Sequence, residues 1–108
     1  MPSQSDVRSV SPALAADTET KLLGEVWKRP ALSPRDRSLV TVAALISRNQ
    51  TVEMAYYFKR LLDDDGCPSE LSEIIFHLAF YSGWPNAMSA AAVVKGVFDS
   101  RSGHQNHQ

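Results

Sequence analysis

The stretch His77-Leu78-Ala79-Phe80-Tyr81-Ser82-Gly83-Trp84-Pro85-Asn86-Ala87-Met88-Ser89-Ala90 decides how this chain is read. It ends one apolar segment at Gly83 and opens another at Pro85, with His, Tyr and Trp gathered at the join. Glycine stops a helix because it accepts backbone angles that other residues resist. Proline suits the first position of the next helix, where its missing N–H costs nothing. The stretch therefore predicts two buried helices meeting at a corner that carries a polar cluster.

Upstream of this corner, Leu71, Ile74, Ile75 and Leu78 recur at helical spacing, with Phe76 and Phe80 widening the stripe. Ser69 is the expected cap of that helix, with Glu70 in its first turn. Downstream, the segment from Pro85 to about Ser100 is apolar nearly all round. Such a helix is either central or shared between subunits. Earlier in the chain, Ser33, Pro34 and Asp36 form a helix start ahead of Leu39, Val42, Ala43 and Ile46. Thr51 is the expected cap of a helix carrying Met54, Phe58, Leu61 and Leu62 and ending at Asp63-Asp64-Asp65-Gly66. Asp17 is the expected cap of a helix with Leu22, Leu23, Val26 and Trp27 on its apolar stripe, stopped by Pro30. No segment alternates with the period of a strand. The predicted fold is all-α: a compact bundle of about five helices over residues 17–101, behind a loose arm (1–16) and ahead of a disordered tail (102–108).

Composition agrees with one small globular domain: 108 residues, 44% hydrophobic and 21% charged. A chain of this length buries only about 60–70% of its unfolded surface, so self-association would add to its stability. The formal net charge is −1, with Lys and Arg scattered among Asp and Glu, which predicts no nucleic-acid partner. No apolar run is long enough to span a membrane, and the first residues hold no apolar block of a secretory signal. One cysteine, Cys67, makes no internal disulfide, and the expected compartment is the cytoplasm.

The chemistry-bearing residues narrow the function. His77 has Glu73 one turn away, but no second histidine or cysteine completes a metal shell, so no metal is expected. His104 and His107 lie in the polar tail and read as solvated. Cys67 sits before a helix N-terminus, a place that can lower a thiol pKa, yet it has no partner thiol in sequence. Glycine-rich phosphate loops and nucleophile elbows are absent from the sequence. Acid–base chemistry remains. Glu53 and Tyr57 share a helix face at a spacing of four, and His77, Tyr81 and Trp84 follow one another at four and three. If the two helices pack together, a carboxylate, a phenol and an imidazole could meet beneath an aromatic ring.

Three segments carry a resemblance to a known family. Trp27 through Ala43, Asn49 through Glu53 and, most closely, Glu70 through Phe98 resemble the carboxymuconolactone decarboxylase family, in the family's order. The resemblance implies an all-helical fold shared with alkylhydroperoxidase D and assembly as a homotrimer or homohexamer. It implies cofactor-free decarboxylation of a small carboxylated substrate, the lactone 4-carboxymuconolactone of protocatechuate and 3-oxoadipate catabolism. In the family a Glu and a His four residues later are proposed to serve the reaction. Glu53 matches the Glu, and Tyr57 stands where the His is expected. Tyrosine can donate a hydrogen bond to an oxyanion, but with a pKa of about 10 it is a poor proton shuttle at neutral pH.

On this reading Glu53, Tyr57 and His77 are the catalytic candidates, with His77 supplying the missing imidazole. Tyr81, Trp84, Arg35 and Arg37 are the substrate-binding candidates, the two arginines matching family arginines near the start of the second helix. The loop from Asp63 to Cys67 departs from the family by placing its glycine one residue later. Two alternatives stay open: peroxide reduction of the alkylhydroperoxidase or peroxiredoxin kind through Cys67, and a non-catalytic oligomeric binding role.

Overall fold

The computed structural model describes residues 3–106, with side chains described through Ser102. Among these residues every regular element is helical: α1 (Gln4–Val10), α2 (Pro12–Asp17), a π-helical turn (Thr18–Leu22), a 3-10 turn (Val26–Lys28), α3 (Pro34–Ser47), α4 (Thr51–Asp63), α5 (Pro68–Ser82) and α6 (Trp84–Asn106).

Local chemistry sets most of the boundaries. The Ser33 hydroxyl accepts the Asp36 N–H at 3.0 Å, and Pro34 takes the first position of α3, as its sequence predicts. Gly83 ends α5 with φ 96°, a conformation that a side chain would strain. At Gly66 the constraint is space: an added Cβ would lie 2.6 Å from the Leu61 carbonyl oxygen, where the chain turns out of α4.

Five boundaries differ from expectation. The cap of α5 is Cys67 rather than Ser69, because Pro68 opens the helix and the Glu70 carboxylate reaches back to accept the Cys67 N–H at 3.1 Å. Thr51 is the first residue of α4 and not its cap. Residues 4–17, expected largely as a loose arm, form α1 and α2: Ser3 caps the first, and Pro12 with an alanine-rich run favours the second. Asp17 consequently ends α2 in helical conformation and precedes the next turn without a side-chain capping bond, and the helix expected after it is a π turn followed by a 3-10 turn. At the other end α6 continues to Asn106, so residues 102–106 are helical where a disordered tail is expected. The reading of His104 and His107 as solvated lies outside the described side chains.

Helices α3 to α6 close into a bundle in which α4 packs on α3 and α6, and α5 packs on α6 and α3. The core joins Val42 and Ile46 of α3, Met54, Phe58 and Leu61 of α4, Leu71 of α5, and Ala90, Val94 and Val97 of α6. Each fully buried large side chain there contributes about 1.5–3 kcal/mol of burial. Trp27 joins this core from the 3-10 turn. The fully buried Ser38 donates to the Asp64 carboxylate at 3.2 Å, tying α3 to the exit of α4.

The outer faces of α5 and α6 are another matter. Phe76 and Phe80, expected to widen the core stripe, are 56% and 67% exposed, because their spacing carries them round the helix away from Leu71 and Ala79. Met88 on α6 is also exposed. No helix among the described residues is long and apolar enough to cross a membrane.

Candidate active site

Helix α4 brings Glu53 and Tyr57 to the same side, as their spacing requires. There they line a cavity of about 400 Å³ together with Arg37 of α3. Its remaining wall is mostly apolar, built from Leu22, Val26, Trp27 and Leu32 before α3 and from Val40 and Leu45 on it, with Thr41 the one further polar side chain. Glu53 lies in the first turn of α4, where the helix dipole favours a negative charge. The Arg37 guanidinium donates through Nη2 to the Arg29 carbonyl at 2.9 Å. Its Nε is buried and has no hydrogen-bond partner among the described residues. A buried donor left unpaired is a cost that the packing around Arg37 bears.

Around the cavity runs a closed set of contacts. The Trp27 and Tyr57 rings stack, with centroids 5.6 Å apart and planes 19° from parallel. Tyr56 meets Tyr57 edge-on at 4.8 Å. Arg60 places its guanidinium carbon 4.2 Å from the Trp27 ring centroid and donates from Nη1 to the Tyr56 hydroxyl at 3.3 Å. Burial pushes the Tyr57 phenol above its ordinary pKa, Tyr56 and the Glu53 carboxylate push the same way, and Arg60 opposes them. Tyr57 therefore stays protonated at neutral pH and can act as a hydrogen-bond donor. It cannot exchange protons readily there.

The structure gathers only part of the predicted set. Glu53, Tyr57 and Arg37 share the cavity. His77 does not: it lines a separate groove of about 450 Å³ between α3 and α5, with Leu39, Glu70, Glu73 and Ile74. Its ring lies against Tyr81, centroid to centroid 4.9 Å, and Tyr81 is 78% exposed. Trp84 packs edge-on against Phe80 at 5.8 Å and lines a third hollow with Phe76 and Met88. Arg35 forms an ion pair with Glu70 and a longer one with Asp36 at 3.7 Å, outside the cavity. Within one chain, then, the His77–Tyr81–Trp84 series and the Glu53–Tyr57 pair face different spaces.

Two residues join the site that sequence reasoning left out. Trp27 reads as core from its stripe, and Arg60 was passed over, although its spacing of four from Tyr56 is a usable signal. No group of three His, Cys, Asp or Glu side chains among the described residues is placed to hold a metal ion. Cys67 is free and exposed, with its sulfur 3.2 Å from the Ser69 hydroxyl, and it does not line the cavity.

Comparison with known proteins supplies the lineage. The chain is similar to a 4-carboxymuconolactone decarboxylase of Acinetobacter baylyi, 35% identical over 75 residues that make up 69% of this chain and 56% of that protein. It is also similar to a nitrosuccinic acid decarboxylase of Metarhizium robertsii, 29% identical over 72 residues, 67% of this chain and 50% of that one. The chain spans about half the length of these curated relatives. Residues 12–96, which include α3 to α5, most of α6 and the whole cavity, match the carboxymuconolactone decarboxylase family, and the chain belongs to that family.

Proposed function

We propose that this chain is a cofactor-free carboxy-lyase acting on a small carboxylated lactone or similar cyclic acid, with 4-carboxymuconolactone as the first substrate to test. The observation that carries the reading is the convergence of Arg37, Glu53 and Tyr57 on one largely apolar cavity. Decarboxylation of such a lactone breaks a carbon–carbon bond and sends the electron pair through the ring alkene to the lactone carbonyl. The reaction then needs an anion anchor, a donor for the developing oxyanion and a proton for carbon.

Arg37 supplies the anchor, its guanidinium being the cation that lines the cavity. Tyr57, kept neutral by its surroundings, donates to the oxyanion. Glu53 relays to the carbon a proton taken up from bulk solvent, so that one proton is consumed for each carbon dioxide released and the carboxylate is ionised again at the end. The apolar wall strengthens each of these interactions by excluding solvent.

The peroxidatic alternative finds no thiol in this cavity, since Cys67 caps α5 elsewhere. Self-association is a second part of the proposal. Its support is the exposed aromatic ridge of Phe76, Phe80 and Trp84, which a second copy of the chain would cover.

The test is loss of 4-carboxymuconolactone absorbance with release of carbon dioxide. Wild-type protein should turn the lactone over, and Glu53→Gln should lower kcat by about 100-fold or more. Binding without turnover would instead favour the non-catalytic binding role. Neither binding nor turnover across carboxylated lactones would refute the proposal.

A further inference from the structure

Trp27 reaches the cavity from a three-residue 3-10 turn whose own backbone bonds, Lys28 to Glu25 and Arg29 to Val26, stay within the turn. Nothing in that short element fixes the indole against α4. Core packing and side-chain contacts do so, and among the latter Arg60 touches both Trp27 and Tyr56. Its guanidinium lies 4.2 Å from the Trp27 ring centroid, and the same group donates to the Tyr56 hydroxyl at 3.3 Å. Trp27 stacks on Tyr57 at 5.6 Å, and Tyr56 meets Tyr57 edge-on at 4.8 Å. Both aromatic neighbours of Tyr57 are thus held by one cation. That cation does not itself line the cavity.

We propose that Arg60 is a positioning residue for this site: by clamping Trp27 and Tyr56 it fixes the Tyr57 phenol in the direction from which it donates into the cavity. The inference rests on the carboxy-lyase reading, but its structural half stands apart from it. A planar guanidinium can lie over an indole and still direct an N–H at a phenol oxygen. Lysine keeps the charge and the attraction to the ring but lacks the fork, so it should restore part of the clamp. Methionine keeps much of the bulk and nothing of the charge.

The experiment compares Arg60→Met and Arg60→Lys in a Trp84→Phe background, which leaves Trp27 as the sole indole. Three quantities are read: the near-ultraviolet circular dichroism of the Trp27–Tyr57 pair, kcat and KM separately, and the thermal midpoint. Arg60→Met should weaken the dichroic signal and lower kcat by about 10- to 100-fold, the scale of a misplaced reacting group. KM should move by less than about 3-fold, because anion anchoring by Arg37 is untouched. Arg60→Lys should recover much of kcat.

An unchanged kcat in Arg60→Met would overturn the proposal, as would losses in both variants that follow the thermal midpoint alone. If wild-type protein turned over no carboxylated lactone, the carboxy-lyase reading would fall by itself. The dichroic signal would then decide the clamp, and an unaltered signal in Arg60→Met would overturn it.

Discussion

The molecule holds two clusters of three aromatic rings, each with one tryptophan, in different surroundings. Trp27, Tyr56 and Tyr57 are drawn inward and laced to charged groups, with Arg60 over the indole and Glu53 and Arg37 beside the phenol in the cavity. Phe76, Phe80 and Trp84 form an edge-to-face ladder along α5 and into α6 that faces outward. Aromatic content does not separate a site from a surface. The charged groups around it do, because a carboxylate or guanidinium at an apolar wall must be compensated, and a ligand is one way to compensate it.

The sharpest way to break this comparison is to truncate one tryptophan from each cluster. Trp27 is 7% exposed and Trp84 is 56% exposed. Trp27→Ala should cost about 3–5 kcal/mol, as large-to-small core changes do. Trp84→Ala should cost less than about 1 kcal/mol in the single chain. Denaturant midpoints at constant m would show it. Equal losses would mean that Trp27 is not the core anchor described here.

Next comes the hydroxyl test. Tyr57→Phe keeps the stack with Trp27 but removes the donor, so kcat should fall by about 100-fold, the usual cost of one oxyanion donor. Tyr81→Phe, at an exposed position against His77 and outside the cavity, should leave kcat unchanged. Steady-state kinetics on the same lactone compare the two. Tyr57→His, which restores the imidazole that the family resemblance leads one to expect, sharpens the same contrast. Higher activity in that variant would mean that the native phenol is a substitution tolerated by the site and not its working donor.

A smaller effect should appear in alkaline solution. The folded state holds the Tyr57 pKa above the unfolded value of about 10, so folding favours the protonated phenol. Its contribution to stability is fully present below about pH 10 and is lost as pH rises from there through the folded-state pKa. Unfolding free energy measured between pH 9 and 11 should therefore fall less steeply in Tyr57→Phe than in the wild type. Identical slopes would show that burial of this phenol does not shift its ionisation.

How much of this was legible beforehand depended on the range of the signal. Ser33 with Asp36, and Gly83 with Pro85, mark helix ends through bonds and angles between near neighbours, so α3 and the α5–α6 corner could be read directly. The same is true of Glu53 and Tyr57, whose spacing alone puts them on one face. His77, Tyr81 and Trp84 obey an equally good spacing rule, yet periodicity does not say which neighbour a face meets. That is decided by the packing of α5 on α3 and α6. Arg60 and Trp27 belong to distant segments that touch only in the fold, and α2 depends on alanine propensity that no cap at Asp17 announces. Many signals that span a single turn could be read, though not the Ser3 cap or the Cys67–Glu70 box, and those between segments could not.

The gentlest perturbation of the single chain is also the one that isolates the outward cluster. Phe80 is 67% exposed and touches the Phe76 and Trp84 rings edge-on at 5.3 and 5.8 Å. Phe80→Glu removes little buried area within one protomer, so its unfolding free energy should change by no more than about 0.5 kcal/mol. A charge at the centre of an apolar contact between copies, by contrast, would be desolvated without a partner and would oppose assembly. Light scattering on size-exclusion fractions should then show wild-type protein heavier than one chain and Phe80→Glu shifted toward the mass of one. Should both elute at the same mass, the ridge is not the surface through which copies of this chain meet, and its exposed rings must be covered by something else or by nothing.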